Sequence, residues 1–255
     1  MTNPANFLRP LVDLVLPERC PSCGIITPMG GDFCAACWAQ LYFPTEPWCA
    51  TCAAPLPFLE AEGQQCLTCI ARAPVHDGIR TVTAYDNISR QVALKLKYGG
   101  KIGLAKLIAR HMIRHLPANR KGLIITPVPL HWTRLWARSF NQSALIGSAL
   151  AGQSGLRHIP DMLVRRRRTP LLKEMSAANR RKIVGNAFAL NPRYSSQIKG
   201  ARLLLIDDVY TSGATSDACI RALKKAGADW VQLFCWARVL PNHERDAAQI
   251  SAGPA

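Results

Sequence analysis

From about residue 75 onward, short apolar blocks alternate with polar and glycine-rich breaks, and the spacing of the apolar positions switches between two periods. Thr81 to Tyr85, Leu123 to Thr126, Leu203 to Ile206 and Val231 to Trp236 are short runs of the length and composition of strands buried on both faces. Arg90 to Lys97, Gly103 to Leu116 and Asp217 to Lys225 carry apolar residues at helical spacing, with Ala218, Ile220, Ala222 and Leu223 on or near one face of the last. Strands alternating with helices predict an α/β domain built on a parallel sheet, spanning residues 75–240. Residues 20–73 follow neither period, residues 1–19 hold a helix-compatible apolar run ending at Pro17, and the tail 241–255 has no period and is expected to be disordered.

The break after Leu203 to Ile206 carries the densest chemistry. Asp207 and Asp208 stand at the expected end of a buried strand, and Thr211, Ser212, Gly213, Ala214 and Thr215 lead into the next helix. In an open α/β sheet, ligands sit at the carboxyl ends of strands, where a helix N-terminus offers unpaired N–H groups to an anion. Gly213 would let the backbone approach a phosphate, three hydroxyls would donate to it, and the two carboxylates would accept from ribose hydroxyls or hold Mg²⁺. The implied ligand is a ribose 5-phosphate. An ordinary strand and turn with Asp as a helix cap is the plain alternative. The acidic strand of a P-loop ATPase would need a G-x-x-x-x-G-K-[ST] loop, and Gly99-Gly100-Lys101-Ile102 has neither its spacing nor its hydroxyl. The stretch LLLIDDVYTSGAT resembles the phosphoribosyl pyrophosphate (PRPP) motif of type I phosphoribosyltransferases.

Residues 20–69 hold four C-x-x-C pairs, Cys20/Cys23, Cys34/Cys37, Cys49/Cys52 and Cys66/Cys69. Two such pairs complete a tetrahedron of thiolates, so eight cysteines predict two closed, structural Zn²⁺ sites. Neighbouring pairs are expected to share an ion, with an interleaved arrangement as the alternative. A disulfide framework would need an oxidising compartment that nothing in the chain indicates. Cys219 and Cys235 lie outside this array and read as core residues.

The chain has 255 residues and is 49% hydrophobic, enough for a sizeable core, one main domain and a small one. Its 32 Lys and Arg against 16 Asp and Glu give +16, which favours anionic partners. The run Phe7, Leu8, Leu11, Val12, Leu14, Val15 and Leu16 is interrupted by Arg9, Pro10 and Asp13. It is too short to span a bilayer and lacks the layout of a signal peptide, so no membrane insertion and a cytoplasmic location are expected.

After the strand at 123–126 the chain reads PVPLHWTRLWARSFNQ. Pro127, Val128, Pro129 and Leu130 form the strand-end loop. Arg134, Arg138, Asn141 and Gln142 are candidate anion and amide contacts, suited to a pyrophosphate leaving group. A solvated helix start is the other reading. Leu163 to Phe188 carries Arg165 to Arg168 and Arg180, Arg181 and Lys182 on an expected loop and helix, and any one of these arginines reads as part of a solvated face.

Together the cysteine array, LKLKYGG, PVPLH followed by RSFNQ, RRRRTP before an NAF segment, and DDVYTSGAT resemble the ComF family of competence proteins, including its GntX-like members, from about Leu11 to Arg238. The resemblance implies a double zinc ribbon, a type I phosphoribosyltransferase domain and a link to uptake or use of external DNA. It implies that Asp207 and Asp208 meet the ribose hydroxyls or Mg²⁺ and that Thr211 to Thr215 surround the 5-phosphate. It also implies that Pro127 to Leu130 lie beside the pyrophosphate, and that 163–188 is a flap. The chain departs from the family's usual pattern at Ser139, where RGFNQ has glycine, at Leu172, where Gln is usual, and at Ile183, where Asn is usual. In the PRPP motif Ser212 replaces Thr.

The implied reaction is displacement of pyrophosphate from C1 of PRPP by an unidentified nitrogen nucleophile. His131 reads as structural rather than as a proton shuttle. A competing reading keeps the fold as a scaffold for single-stranded DNA, carried by aromatic residues among basic ones at Trp132, Arg134, Trp136, Arg138 and Phe140. A third is a zinc-dependent adaptor that docks onto other competence proteins.

Overall fold

The computed structural model describes residues 17–27, 31–58, 61–166 and 187–240. The expected N-terminal helix, apart from residues 17–19, most of the expected flap (167–186) and the tail (241–255) lie outside the described residues.

Five strands form one parallel sheet: β1 (Ile79–Ala84), β2 (Leu123–Pro127), β3 (Arg157–His158), β6 (Arg202–Tyr210) and β7 (Trp230–Arg238). Their order is β1-β7-β6-β2-β3. Two further strands, β4 (Leu163–Arg165) and β5 (Phe188–Leu190), pair antiparallel and hold the two described ends of the expected flap. The sheet is buried on both faces, as its uninterrupted apolar runs require: Leu203 to Ile206 on β6 and Cys235 to Ala237 on β7 have no solvent exposure. Cys219 and Cys235 are part of this core.

Two boundaries differ from expectation for reasons that matter to the site. β6 does not stop at Ile206. Its pairing with β2 ends at Pro127↔Ile206, but on the other side Asp207, Val209 and Tyr210 stay in register with Cys235, Ala237 and Arg238 of β7. Polarity suggested a strand end, whereas backbone pairing with the longer neighbour carries β6 four residues further. The acidic pair therefore projects past the end of β2 while β7 still holds it rigid. The edge strand β3, only two residues long, had no sequence signal.

The helices are α1 (Ala35–Trp38) and α2 (Leu67–Ala71) in the cysteine-rich segment, then α3 (Asn87–Tyr98), α4 (Leu104–Met112), α5 (Trp132–Arg138), α6 (Gln142–Ser154) and α7 (Ala214–Lys225). α3 begins three residues earlier than the apolar period suggested, because Asp86 and Ser89 cap it reciprocally. Ser89 N donates to Asp86 Oδ1 at 2.7 Å and Asp86 N to Ser89 Oγ at 2.8 Å.

The cysteine-rich segment packs onto the sheet domain and shares its core. Phe33 stacks on Trp236 of β7, with ring centroids 6.3 Å apart and planes 4° from parallel. β1 is an edge strand, and the segment supplies acceptors for it: Ile79 N donates to Thr51 O at 2.8 Å and Ala84 N to Tyr42 O at 2.9 Å. An edge covered in this way is closed to pairing with another chain.

Candidate functional site

At the C-terminal end of β6, Asp208 forms an ion pair with Lys97 on the last turn of α3, Nζ to Oδ2 2.5 Å. Asp208 is buried, and its Oδ1 accepts from Val209 N at 2.9 Å. Asp207 Oδ1 accepts from Asp208 N at 2.9 Å and from Ser143 Oγ of α6 at 3.4 Å. Burial, reinforced by the neighbouring Asp208 charge and opposed by Lys97, pushes the Asp207 carboxyl up to about 7. On Lys97 burial pulls the other way, but the charge and hydrogen bond of Asp208 with the charge of Asp207 outweigh it, so its pKa is raised. Two carboxylates and one ammonium thus share a partly desolvated corner.

Lys97 was not singled out from the sequence. In LKLKYGG two lysines sit two apart on a helix and face different ways. Lys95 Nζ donates to the carbonyls of Pro21 and Ser22 in the cysteine-rich segment, while Lys97 turns to the acidic pair. Position next to the Gly99-Gly100 break was the available signal.

Thr211 and Ser212 are exposed in the bend between β6 and α7, and Thr215 is half-buried in the first turn. Their hydroxyls make no hydrogen bond among the described residues. Gly213, at φ +73°, precedes α7 without a side-chain cap, so the first N–H groups of this helix of 12 residues are left for a ligand or water. A Cβ at Gly213 would lie 2.6 Å from Tyr210 Oη, which makes glycine a requirement of both the dihedral and the space. Ala214 is buried against the core.

The strand-end loop offers little to an anion. Pro127 and Pro129 have no N–H, Val128 N is spent on Ile206 O at 2.9 Å, and Val128 O accepts from Asn141 Nδ2 at 3.0 Å. Of the four expected pyrophosphate-loop residues, Leu130 alone retains a backbone donor outside the ladder of β2 and β6. Arg138 is committed locally: Nη2 donates to Tyr98 Oη at 2.8 Å, its guanidinium lies 4.7 Å from the Tyr98 ring, and Nη1 donates to Gln142 Oε1 at 3.3 Å. Arg134 is half-buried and near enough to Arg165 for its charge to lower the Arg165 pKa, after burial itself. His131 is buried at the start of α5, where Nδ1 accepts from Thr133 N at 3.4 Å, a capping role.

The eight cysteines gather as Cys20, Cys23, Cys34 and Cys37 in one cluster and Cys49, Cys52, Cys66 and Cys69 in the other, each with its sulfurs within 4.8 Å of one another. Neighbouring pairs share a site, the arrangement expected. A tetrahedral zinc with Zn–S of about 2.3 Å needs sulfurs about 3.8 Å apart. Cys23 Sγ and Cys34 Sγ are 3.7 Å apart, as are Cys52 Sγ and Cys66 Sγ. Backbone N–H groups of Cys52 and Cys66 point at Cys49 Sγ at 3.4 and 3.3 Å, which stabilises the thiolate and brings the Cys49 pKa to about 7 despite burial. The donor set and geometry fit two structural zinc ions.

Residues 11–70 match the model of the double zinc ribbon domain. The chain is 25% identical over 227 residues to competence protein F of Haemophilus influenzae, covering 86% of this chain and 96% of that one. The similarity to that protein extends along most of both chains. The chain is also 29% identical over 181 residues to the DNA utilization protein YhgH of Salmonella typhi, covering 69% of this chain and 78% of that one. Against competence protein ComFC of Streptococcus pneumoniae it is 26% identical over 159 residues, 62% and 67% of the two chains. Among solved structures, a glutamine PRPP amidotransferase from B. subtilis complexed with ADP and GMP aligns over 56% of this chain at 16% identity and a TM-score of 0.37. The aligned part spans 30% of that chain. Among the described residues, no helix is long and apolar enough to cross a membrane.

Proposed function

We propose that the chain binds PRPP at the end of β6 and transfers its phosphoribosyl group to a nitrogen acceptor, in the handling of external DNA that the names of its relatives point to. The observation that carries this reading is the uncapped, left-handed Gly213 turn with three hydroxyls that make no hydrogen bond among the described residues, directly after a rigid carboxylate pair.

The geometry supports the following roles. Ribose hydroxyls would donate to Asp207 and Asp208, and the 5-phosphate would take the first N–H groups of α7 with the hydroxyls of Thr211, Ser212 and Thr215. Lys97, already beside Asp208, would place its ammonium near the oxygens of the leaving group. The C1–O bond to pyrophosphate breaks, a C1–N bond forms, pyrophosphate leaves with the electron pair, and the nitrogen's proton goes to water. Mg²⁺ fits only together with ligand oxygens, since Lys97 holds Asp208 Oδ2; bound with PRPP, it would spread the charge of the departing pyrophosphate.

The test is calorimetric titration of PRPP with Mg²⁺ into zinc-loaded protein. Wild type should bind, and Asp207→Asn/Asp208→Asn and Gly213→Val should each lose binding by about a hundredfold or more while keeping two zinc ions. Absence of binding to folded wild type would remove the reading.

A second reading has its own observation. Trp136 is 82% exposed, Tyr98 68% and Trp132 64%, and Arg138 lies against Tyr98. Aromatic faces beside guanidinium groups on a chain of charge +16 suit single-stranded nucleic acid. Binding of an oligonucleotide that weakens with salt and is lost in Trp132→Ala/Trp136→Ala would support it, whether or not PRPP binds.

A further inference from the structure

The second cysteine cluster and the Gly213 turn meet at one side chain. Arg238 closes β7, is 7% exposed, and donates from Nη1 to the carbonyl of Cys52. Its guanidinium lies 5.9 Å from the ring centre of Tyr210, its register partner on β6. Val239 N donates to Tyr210 O at 2.9 Å, so the two strand ends are locked together. Tyr210 Oη in turn fills the space under Gly213, 2.6 Å from the position a Cβ there would take. Contacts therefore run without a gap from Cys52 through Arg238 and Tyr210 to the turn that opens α7.

Charge gives the first contact a direction. Zinc held by four thiolates carries a net charge of about −2, which in a low-dielectric setting calls for nearby cations. Arg238, bonded to the Cys52 carbonyl, places one such cation beside the cluster. Arg80, whose Nη1 donates to Ala50 O at 3.4 Å, places a second one there. A metal-loaded cluster, with its net negative charge, would hold both guanidinium groups more firmly than four neutral thiols.

We propose that Arg238 is a positioning residue that couples the metal state of the second cluster to the 211–215 turn, so that zinc at Cys49, Cys52, Cys66 and Cys69 and a sugar phosphate at the turn reinforce each other. The coupling rests on the reading of that turn as a phosphate site, and by linkage it runs both ways.

The test uses the full zinc-loaded chain and two readouts. In the first, zinc release to a colorimetric chelator is followed with and without PRPP and Mg²⁺. PRPP should slow release of one of the two ions by about fivefold or more, and Arg238→Met should abolish that slowing. In the second, hydrogen exchange is measured in peptides covering 207–218 without ligand. Arg238→Met should speed exchange there by about tenfold while peptides covering 123–127 are unchanged, with Arg238→Lys restoring part of the protection. Tyr210→Leu, which breaks the same path away from the metal, should reproduce both effects with zinc content intact. Unchanged exchange at 207–218 in both variants would overturn the coupling. Faster exchange there in a protein that does not bind PRPP would keep the coupling and overturn the ligand assignment.

Discussion

Asp207 and Lys97 show how much of this site depends on single groups. The Asp207 carboxyl is held up to about 7, chiefly by burial and then by Asp208. A carboxyl whose folded pKa exceeds its unfolded value binds its proton more tightly when folded. Its contribution to stability is therefore largest below the usual carboxylate range and declines as pH rises from about 4 to about 7. Thermal melts of wild type and Asp207→Asn between those limits should show a steeper fall with pH for wild type. Binding of any ligand that needs the ionised carboxylate should strengthen as pH rises through about 7, and the asparagine variant should lose that dependence. Lys97→Met would leave the buried Asp208 charge unpaired at a cost of about 2–3 kcal/mol, read by urea unfolding. Adding Asp208→Asn to Lys97→Met should recover part of the loss. At Gly213 even alanine meets both a left-handed dihedral and the Tyr210 hydroxyl, and Gly213→Ala should cost about 1–3 kcal/mol in the same measurement.

Among the elements, β6 and β7 do most to place the chemistry, because their register holds Asp207 to Tyr210 rigid beyond the point where β2 stops. α3 serves two masters from one turn, with Lys95 on the first ribbon and Lys97 on the acidic pair. The ribbons are more than small zinc-folded appendages. The first is anchored by Phe33 on Trp236, and Phe33→Ala should cost about 3–5 kcal/mol while lowering the occupancy of the first cluster, measured by zinc stoichiometry. The second covers the edge of β1 through Thr51. Chelation of both ions should therefore expose that edge and produce concentration-dependent aggregation, visible by light scattering, before the sheet itself unfolds.

For the molecule as a whole, the sequence determined the fold class, the double ribbon and the strand that carries the acidic pair, though not where that strand ends. Each of these rests on local information: apolar runs with periods set by backbone geometry, thiolate pairs on tight turns, a glycine that only a left-handed turn requires. It also determined that Cys219 and Cys235 belong to the core, since they lie in apolar patterns. The tertiary structure decided what depends on two distant segments meeting. Spacing alone left open which cysteine pairs share a site. Pro127 and Pro129 lack an N–H by sequence alone, but Val128 N is spent on Ile206 O only once β2 lies beside β6. Lys97 and Arg238 read as two among 32 basic residues until packing set one against Asp208 and the other between Cys52 and Tyr210. A charge acquires its role from desolvation and from the partner it faces, and both are properties of the folded chain.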